Sequence, residues 1–149
     1  MLVLGIDPAV KKSAVVALKE GKEIFYSYID SDIQSIVDFL EDNIDDIFIL
    51  VCEKQYLGVN VKTMGQLLFV RHMWEILSSM SINCEGVYSV APASWKSFAL
   101  GKVKKGEGKR KSVEKFRELT HFNLQDEDHD IADAYHIARY GFNKFVLGE

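Results

Sequence analysis

The chain has 149 residues, nearly half of them apolar and about a quarter charged, with two prolines, two cysteines and a net charge of −4. That length suits one well-buried core and is too short for two, and no apolar run approaches the ~20 residues of a membrane span. The opening MLVLGID has no basic leader and no small-residue cleavage site, so it reads as a first strand and not a signal peptide, with the cytosol as the expected compartment.

Leu2 to Ile6 form a short apolar run ended by Asp7-Pro8, Ser13 to Lys19 a second, and Glu23 to Ile29 an alternating third beyond a Gly21-Lys22 turn. Turn-separated runs of this kind predict antiparallel strands. The period then changes. Asp30, Ser31 or Asp32 can cap a helix whose apolar positions Ile33, Ile36, Val37, Leu40 and Ile44 recur at three and four residues.

Ile47 to Cys52 is a continuous apolar run, as a strand buried on both faces requires, and it ends at Glu53. A long helix is expected over about 61–80, a strand over Cys84 to Val90, and a short helix from Ala91-Pro92 through Leu100. Gly101 to Gly108 reads as a flexible basic loop, followed by a helix over about 110–119. A last helix over about 127–145 has Ile131, Tyr135, Ile137 and Ala138 facing inward. Strands that begin antiparallel and then alternate with helices predict an α/β fold with a mixed five-stranded sheet flanked by helices.

Charge is unevenly spread. Nine bases against two acids between Lys96 and Arg117 give that stretch +7 and leave −11 for the remainder. An anion-binding face on an acidic body fits this asymmetry, and so does a merely solvated loop. Cys52 and Cys84 lack metal-ligand spacing and read as buried free thiols.

The acids carry the chemistry. Asp7 and Glu53 each end an apolar strand, and Asp130 and Asp133 stand three apart, so they share one face of the last helix. Asp7 before Pro8 could serve a turn, and Asp130 or Asp133 could complement a helix N-terminus. Glu53 is costly at the end of so apolar a run without a partner. Four converging carboxylates repel one another unless cations neutralise them. Magnesium or manganese prefers such oxygen ligands, and a pair of these ions can activate water and stabilise the leaving oxygen in phosphodiester hydrolysis.

Together these segments resemble the RuvC family of Holliday junction resolvases, including its phage-encoded branch. The family's strand followed by Gly-Ile-Asp-Pro stands here as Gly5-Ile6-Asp7-Pro8, and its second acid with a nearby aromatic as Glu53-Lys54-Gln55-Tyr56. Its downstream asparagine and helix match Asn60 and the segment through Arg71. Its paired aspartates match His129-Asp130-Ile131-Ala132-Asp133-Ala134. The similarity covers essentially the whole chain.

The resemblance implies a ribonuclease H-like nuclease domain over residues 1–149, with Asp7, Glu53, Asp130 and Asp133 as catalytic metal ligands. Two Mg2+ ions per active site are implied, with Mn2+ as a substitute. So is a homodimer that nicks opposing strands of a four-way DNA junction symmetrically, in the cytoplasm of a bacterium or of a phage-infected host. Phosphate-contacting bases fall on Lys96, Lys105, Lys109 and Lys111, and a junction-probing aromatic on Tyr56, whose other reading is an ordinary half-buried tyrosine.

Some relatives place a histidine in the metal site, which makes His129 an accessory ligand or acid–base candidate, beside the reading as a solvent-exposed helix start. His136 follows the same acids. Ala9 and Ser13-Ala14 stand where the family has a glycine and a Thr-Gly pair, so an inherited cutting-sequence preference does not carry over.

The apolar excess of the helix over about 61–80 makes it the expected dimer face, with Met73 as an exposed apolar position on it. Alternatives are a broader branched-DNA nuclease acting on forks, flaps and three-way junctions, and a non-catalytic junction-binding protein. A nucleotide-binding member of the wider superfamily needs glycine-rich phosphate loops that this chain lacks.

Overall fold

The computed structural model describes residues 1–55 and 60–149. Strands β1 (Leu2–Asp7), β2 (Lys12–Lys19) and β3 (Glu23–Asp30) form an antiparallel meander. Glu20 and Gly21 both take positive φ at the β2–β3 turn. Helix α1 (Ile33–Asn43) is capped by Asp32, whose carboxylate accepts from the Ser35 amide at 2.8 Å.

Strand β4 (Phe48–Glu53) then pairs parallel to β1, and β5 (Cys84–Val90) parallel to β4, across helix α2 (Val61–Ser79). The sheet order is β3-β2-β1-β4-β5, which puts β1 in the middle and β4 inside the sheet. Helices α3 (Pro92–Leu100), α4 (Gly108–Thr120) and α5 (His129–Gly141) complete the chain. The fold is thus the expected mixed five-stranded sheet flanked by helices.

Period-two alternation divides the core. On β1, Leu2, Leu4 and Ile6 face one way, and on β4 so do Phe48, Leu50 and Cys52; they pack on Ile36, Phe39 and Leu40 of α1 and on Val70, Met73 and Trp74 of α2. Val3, Ile49 and Val51 face the other way, onto Trp95, Phe116 and the apolar stripe of α5. Asp7 and Glu53 share the parity of this second set, so the alternation that builds the core also turns both acids toward α5.

Helix α5 lies directly on β1. A Cβ at Gly5 would overlap the Ala134 carbonyl oxygen and come within 2.8 Å of Ala138 Cβ. Glycine is what allows this approach.

Three expectations need correction. Met73 is 7% exposed and packs into the α1–α2 core; the exposed large apolar positions of α2 are Val61 at its first turn, Phe69 at 63% and Ile76 at 58%. The last helix is three pieces: a 3-10 turn (Asp126–Asp128), α5, and a wide π-type turn (Phe142–Val146), because the backbone bonding changes at each end of α5 while the apolar stripe runs on. Both cysteines are free, but only Cys52 is buried; Cys84, at the start of β5, is half-buried. Tyr56 lies outside the described residues. Among the described residues, no helix is long and apolar enough to cross a membrane.

Candidate active site

Asp7 and Glu53 stand one residue beyond Ile6 and Cys52, the last paired positions of the parallel β1–β4 ladder. Both backbones therefore deliver a carboxylate to the same sheet edge. The first turns of α5 bring Asp130 and Asp133 to that edge, and the four acids act on one another electrostatically.

Burial pushes the Asp7 carboxyl well above the usual range, and the charges of Glu53, Asp133 and Asp130 push it further. Burial raises Glu53 too, opposed by a hydrogen bond from Trp95 and by the Lys96 charge. Asp133 is pushed up to about 6 by burial, against a hydrogen bond from Ser112 and the Lys96 charge. A cluster in this state holds protons until a cation replaces them.

The donor set fits a divalent ion. His129, Asp130 and Asp133 each offer a ligand atom, and these atoms lie within 4.8 Å of one another. His129 is half-buried, not exposed, and its Nδ1 lies 3.0 Å from Asp130 Oδ1 without forming an aligned hydrogen bond. A ring nitrogen with no aligned hydrogen-bond partner among the described residues, close to the carboxylates of Asp130 and Asp133, suits a small oxygen-seeking cation that also accepts imidazole.

The basic residues divide. Lys96 is exposed on α3, and its charge reaches Glu53 and Asp133. Lys105 and Lys109 are exposed, and among the described residues neither forms a hydrogen bond or ion pair with the acids. Lys111 is half-buried and donates to the Lys102 carbonyl at 2.9 Å, so it braces the basic loop.

Sequence reasoning missed several polar partners. Trp95 Nε1 donates to Glu53 Oε2 at 2.6 Å, and Ser112 Oγ donates to Asp133 Oδ1 at 2.6 Å. His136 is buried, donates through Nε2 to the Ser112 carbonyl at 2.9 Å, and stacks on Trp95. Tyr28 on β3 donates to Asp128 at 2.9 Å beside the acids; burial, and then this bond, raise its phenol pKa. The available signal was adjacency: Trp95 precedes Lys96, and Ser112 follows Lys111.

The comparisons with known proteins bear on the fold and the family. T. thermophilus RuvC in complex with Holliday junction substrate superposes with a TM-score of 0.77 at 14% identity, covering 99% of this chain and 96% of that one. A second T. thermophilus RuvC structure gives 0.71 at 16% identity over 99% and 97%. The yeast mitochondrial Holliday junction resolvase Ydc2 gives 0.50 at 14% over 93% and 76%. No curated protein matches the sequence. The family model described as "DUF3882: Lactococcus phage M3 protein" matches residues 10–142, a span that takes in Glu53, Asp130 and Asp133. The chain belongs to that Lactococcus phage M3 protein family, on the fold of the RuvC Holliday junction resolvases.

Proposed function

We propose that this protein is a metal-dependent, structure-specific DNA endonuclease that resolves four-way junctions by paired symmetric nicks. The observation that carries this reading is the convergence of Asp7, Glu53, Asp130 and Asp133 at one sheet edge, beside Lys96 and the basic α3–α4 segment. The fold shared with RuvC resolvases supports the same reading.

Bound divalent ions, one or a pair, supply Lewis-acid charge neutralisation at a phosphodiester. The four acids, with His129, hold that charge. Lys96 meets phosphate close to the acids, and Lys105 and Lys109 extend the positive surface along the backbone without reading sequence. Pairing of nicks requires two such sites, which a homodimer through the exposed face of α2 provides. Phe69 and Ile76 lie two turns apart there, beside exposed Ile33 of α1.

The test is cleavage of a labelled four-way junction with Mg2+, Mn2+ or EDTA, beside three-way, flap and linear substrates. Paired, symmetric, ion-dependent nicks confined to the four-way junction are expected. Equal cutting of forks and flaps would make the protein a general branched-DNA nuclease. Tight junction binding without cleavage under any ion would leave an architectural protein.

A further inference from the structure

Trp95 and Ser112 sit behind the acids, not among them. Trp95 is 0% exposed and Ser112 1% exposed, so neither side chain can turn out into water. Each donates one hydrogen bond to a carboxyl oxygen at 2.6 Å. The bonds engage Glu53 Oε2 and Asp133 Oδ1, one oxygen of each acid.

We propose that Trp95 and Ser112 are positioning residues that hold Glu53 and Asp133 ready for a divalent cation, each occupying one carboxylate oxygen and leaving the other to the ion. This rests on the reading of the acids as a metal centre. Carboxylates gathered without an ion repel one another, and a side chain at a strand end escapes by rotating away. A fixed donor behind each acid removes that escape and sets the orientation before the ion arrives.

The donors are themselves fixed. The Trp95 ring lies 6.2 Å from the His136 ring at an interplanar angle of 15°, and His136 Nε2 donates to the Ser112 carbonyl at 2.9 Å. His136 stands one helical turn beyond Asp133, so α3, α4 and α5 meet at one joint behind the site. The second tryptophan is an internal contrast. Trp74 is as buried, yet its Nε1 has no hydrogen-bond partner among the described residues, so burial of an indole in this protein does not by itself produce a bond to an acid.

The experiment measures Mn2+ binding calorimetrically on the full chain without DNA, for the parent, Trp95→Phe, Ser112→Ala, Ser112→Thr and Glu53→Gln. Thermal melts in EDTA confirm that each is folded. Affinity should fall roughly 10–100-fold in Trp95→Phe and Ser112→Ala, the loss usual for an outer-shell partner, and recover in Ser112→Thr, which restores the hydroxyl. In junction cleavage the same two variants should need more Mg2+ for half-maximal rate and recover most of the rate at saturation.

Parental Mn2+ affinity in folded Trp95→Phe and Ser112→Ala overturns the proposal while Glu53→Gln still loses the ion. The Ser112 pair decides independently of how well Trp95→Phe folds. Parental affinity in Glu53→Gln would sink the metal-centre reading, and this proposal with it.

Discussion

Of the charged groups around Asp7, Glu53 acts on it most strongly, ahead of Asp133 and Asp130. The two acids end neighbouring parallel strands, so their mutual repulsion is built into the sheet and is relieved only by a proton or a cation.

Removing one of these charges should therefore separate stability from activity. Asp7→Asn should melt higher than the parent in EDTA, by about 2–4 °C for each kcal/mol of repulsion and desolvation relieved. Junction cleavage should fall by at least ~100-fold, because a ligand's loss exceeds that of an outer-shell partner, while junction affinity stays near the parent's. Calorimetry, a cleavage time course and gel-shift titration read the three quantities; a parallel loss of binding would indicate misfolding.

Ion binding should release protons. The Asp7 carboxyl titrates well above its usual range and Asp133 at about 6, so an ion entering near neutral pH displaces what the cluster still holds. Mn2+ affinity should weaken steeply as pH falls through 6. Titrations in two buffers of different ionisation heat should give different apparent enthalpies; identical enthalpies would mean the acids are already ionised.

His136 offers a stability test away from the ligands. Burial lowers its pKa to about 4 from an ordinary 6.5, so the folded state resists a proton that the unfolded chain accepts. Its contribution is present above 6.5 and is lost as pH falls from 6.5 through about 4. The acids move stability the opposite way, since raised carboxyl pKa values favour the folded state as pH falls. Comparing the parent with His136→Gln cancels them. The parent's unfolding free energy relative to the variant should drop by about 2 kcal/mol between about pH 7.5 and about pH 5 in EDTA. Denaturant melts at both values measure it.

Lys96→Ala should weaken junction binding and reduce the slope of log affinity against log salt by about 0.9, the share of one phosphate contact. Because Lys111 already donates to the Lys102 carbonyl, Lys111→Ala should weaken binding with a smaller change in slope. Binding titrations over a salt series distinguish the two.

A charge on the exposed face of α2 should block self-association. If α2 carries the proposed dimer contact, Ile76→Asp should sediment as a monomer at concentrations where the parent self-associates, with its thermal stability little changed because the parent side chain is already 58% exposed. An unchanged sedimentation profile would move the interface elsewhere.

The strands and the places of the acids were legible because hydrophobic runs have ends. LVLGID and FILVCE stop at their carboxylates, and the period of 131, 135 and 138 turns α5 inward. What stayed hidden depends on contacts between distant segments. Nothing in SWKS tells the Trp95 indole to meet Glu53, 42 residues earlier, and Ser112 in RKSVE looks like any polar helix residue. Met73 was misplaced for a similar reason. Helix α2 has apolar residues on more than one side, and only the fold decides which side the sheet takes. The widening of the last helix from Phe142 onward has no marker in the apolar pattern, which continues through Phe145 and Val146.

The seating of α5 on Gly5 makes the main chain the gauge of the site. At Gly5 the strand that carries Asp7 meets the Ala134 carbonyl and the Ala138 amide of the helix that carries Asp130 and Asp133, with the small Ala138 methyl beside them. Side-chain cores yield when a methylene is added or removed, and the elements around them drift by fractions of an ångström. A contact made largely of backbone atoms has little such slack. The span between the acid on the strand and the acids on the helix is accordingly insulated from substitutions elsewhere in the core, and a single methyl at position 5 would act as a shim, widening it at once.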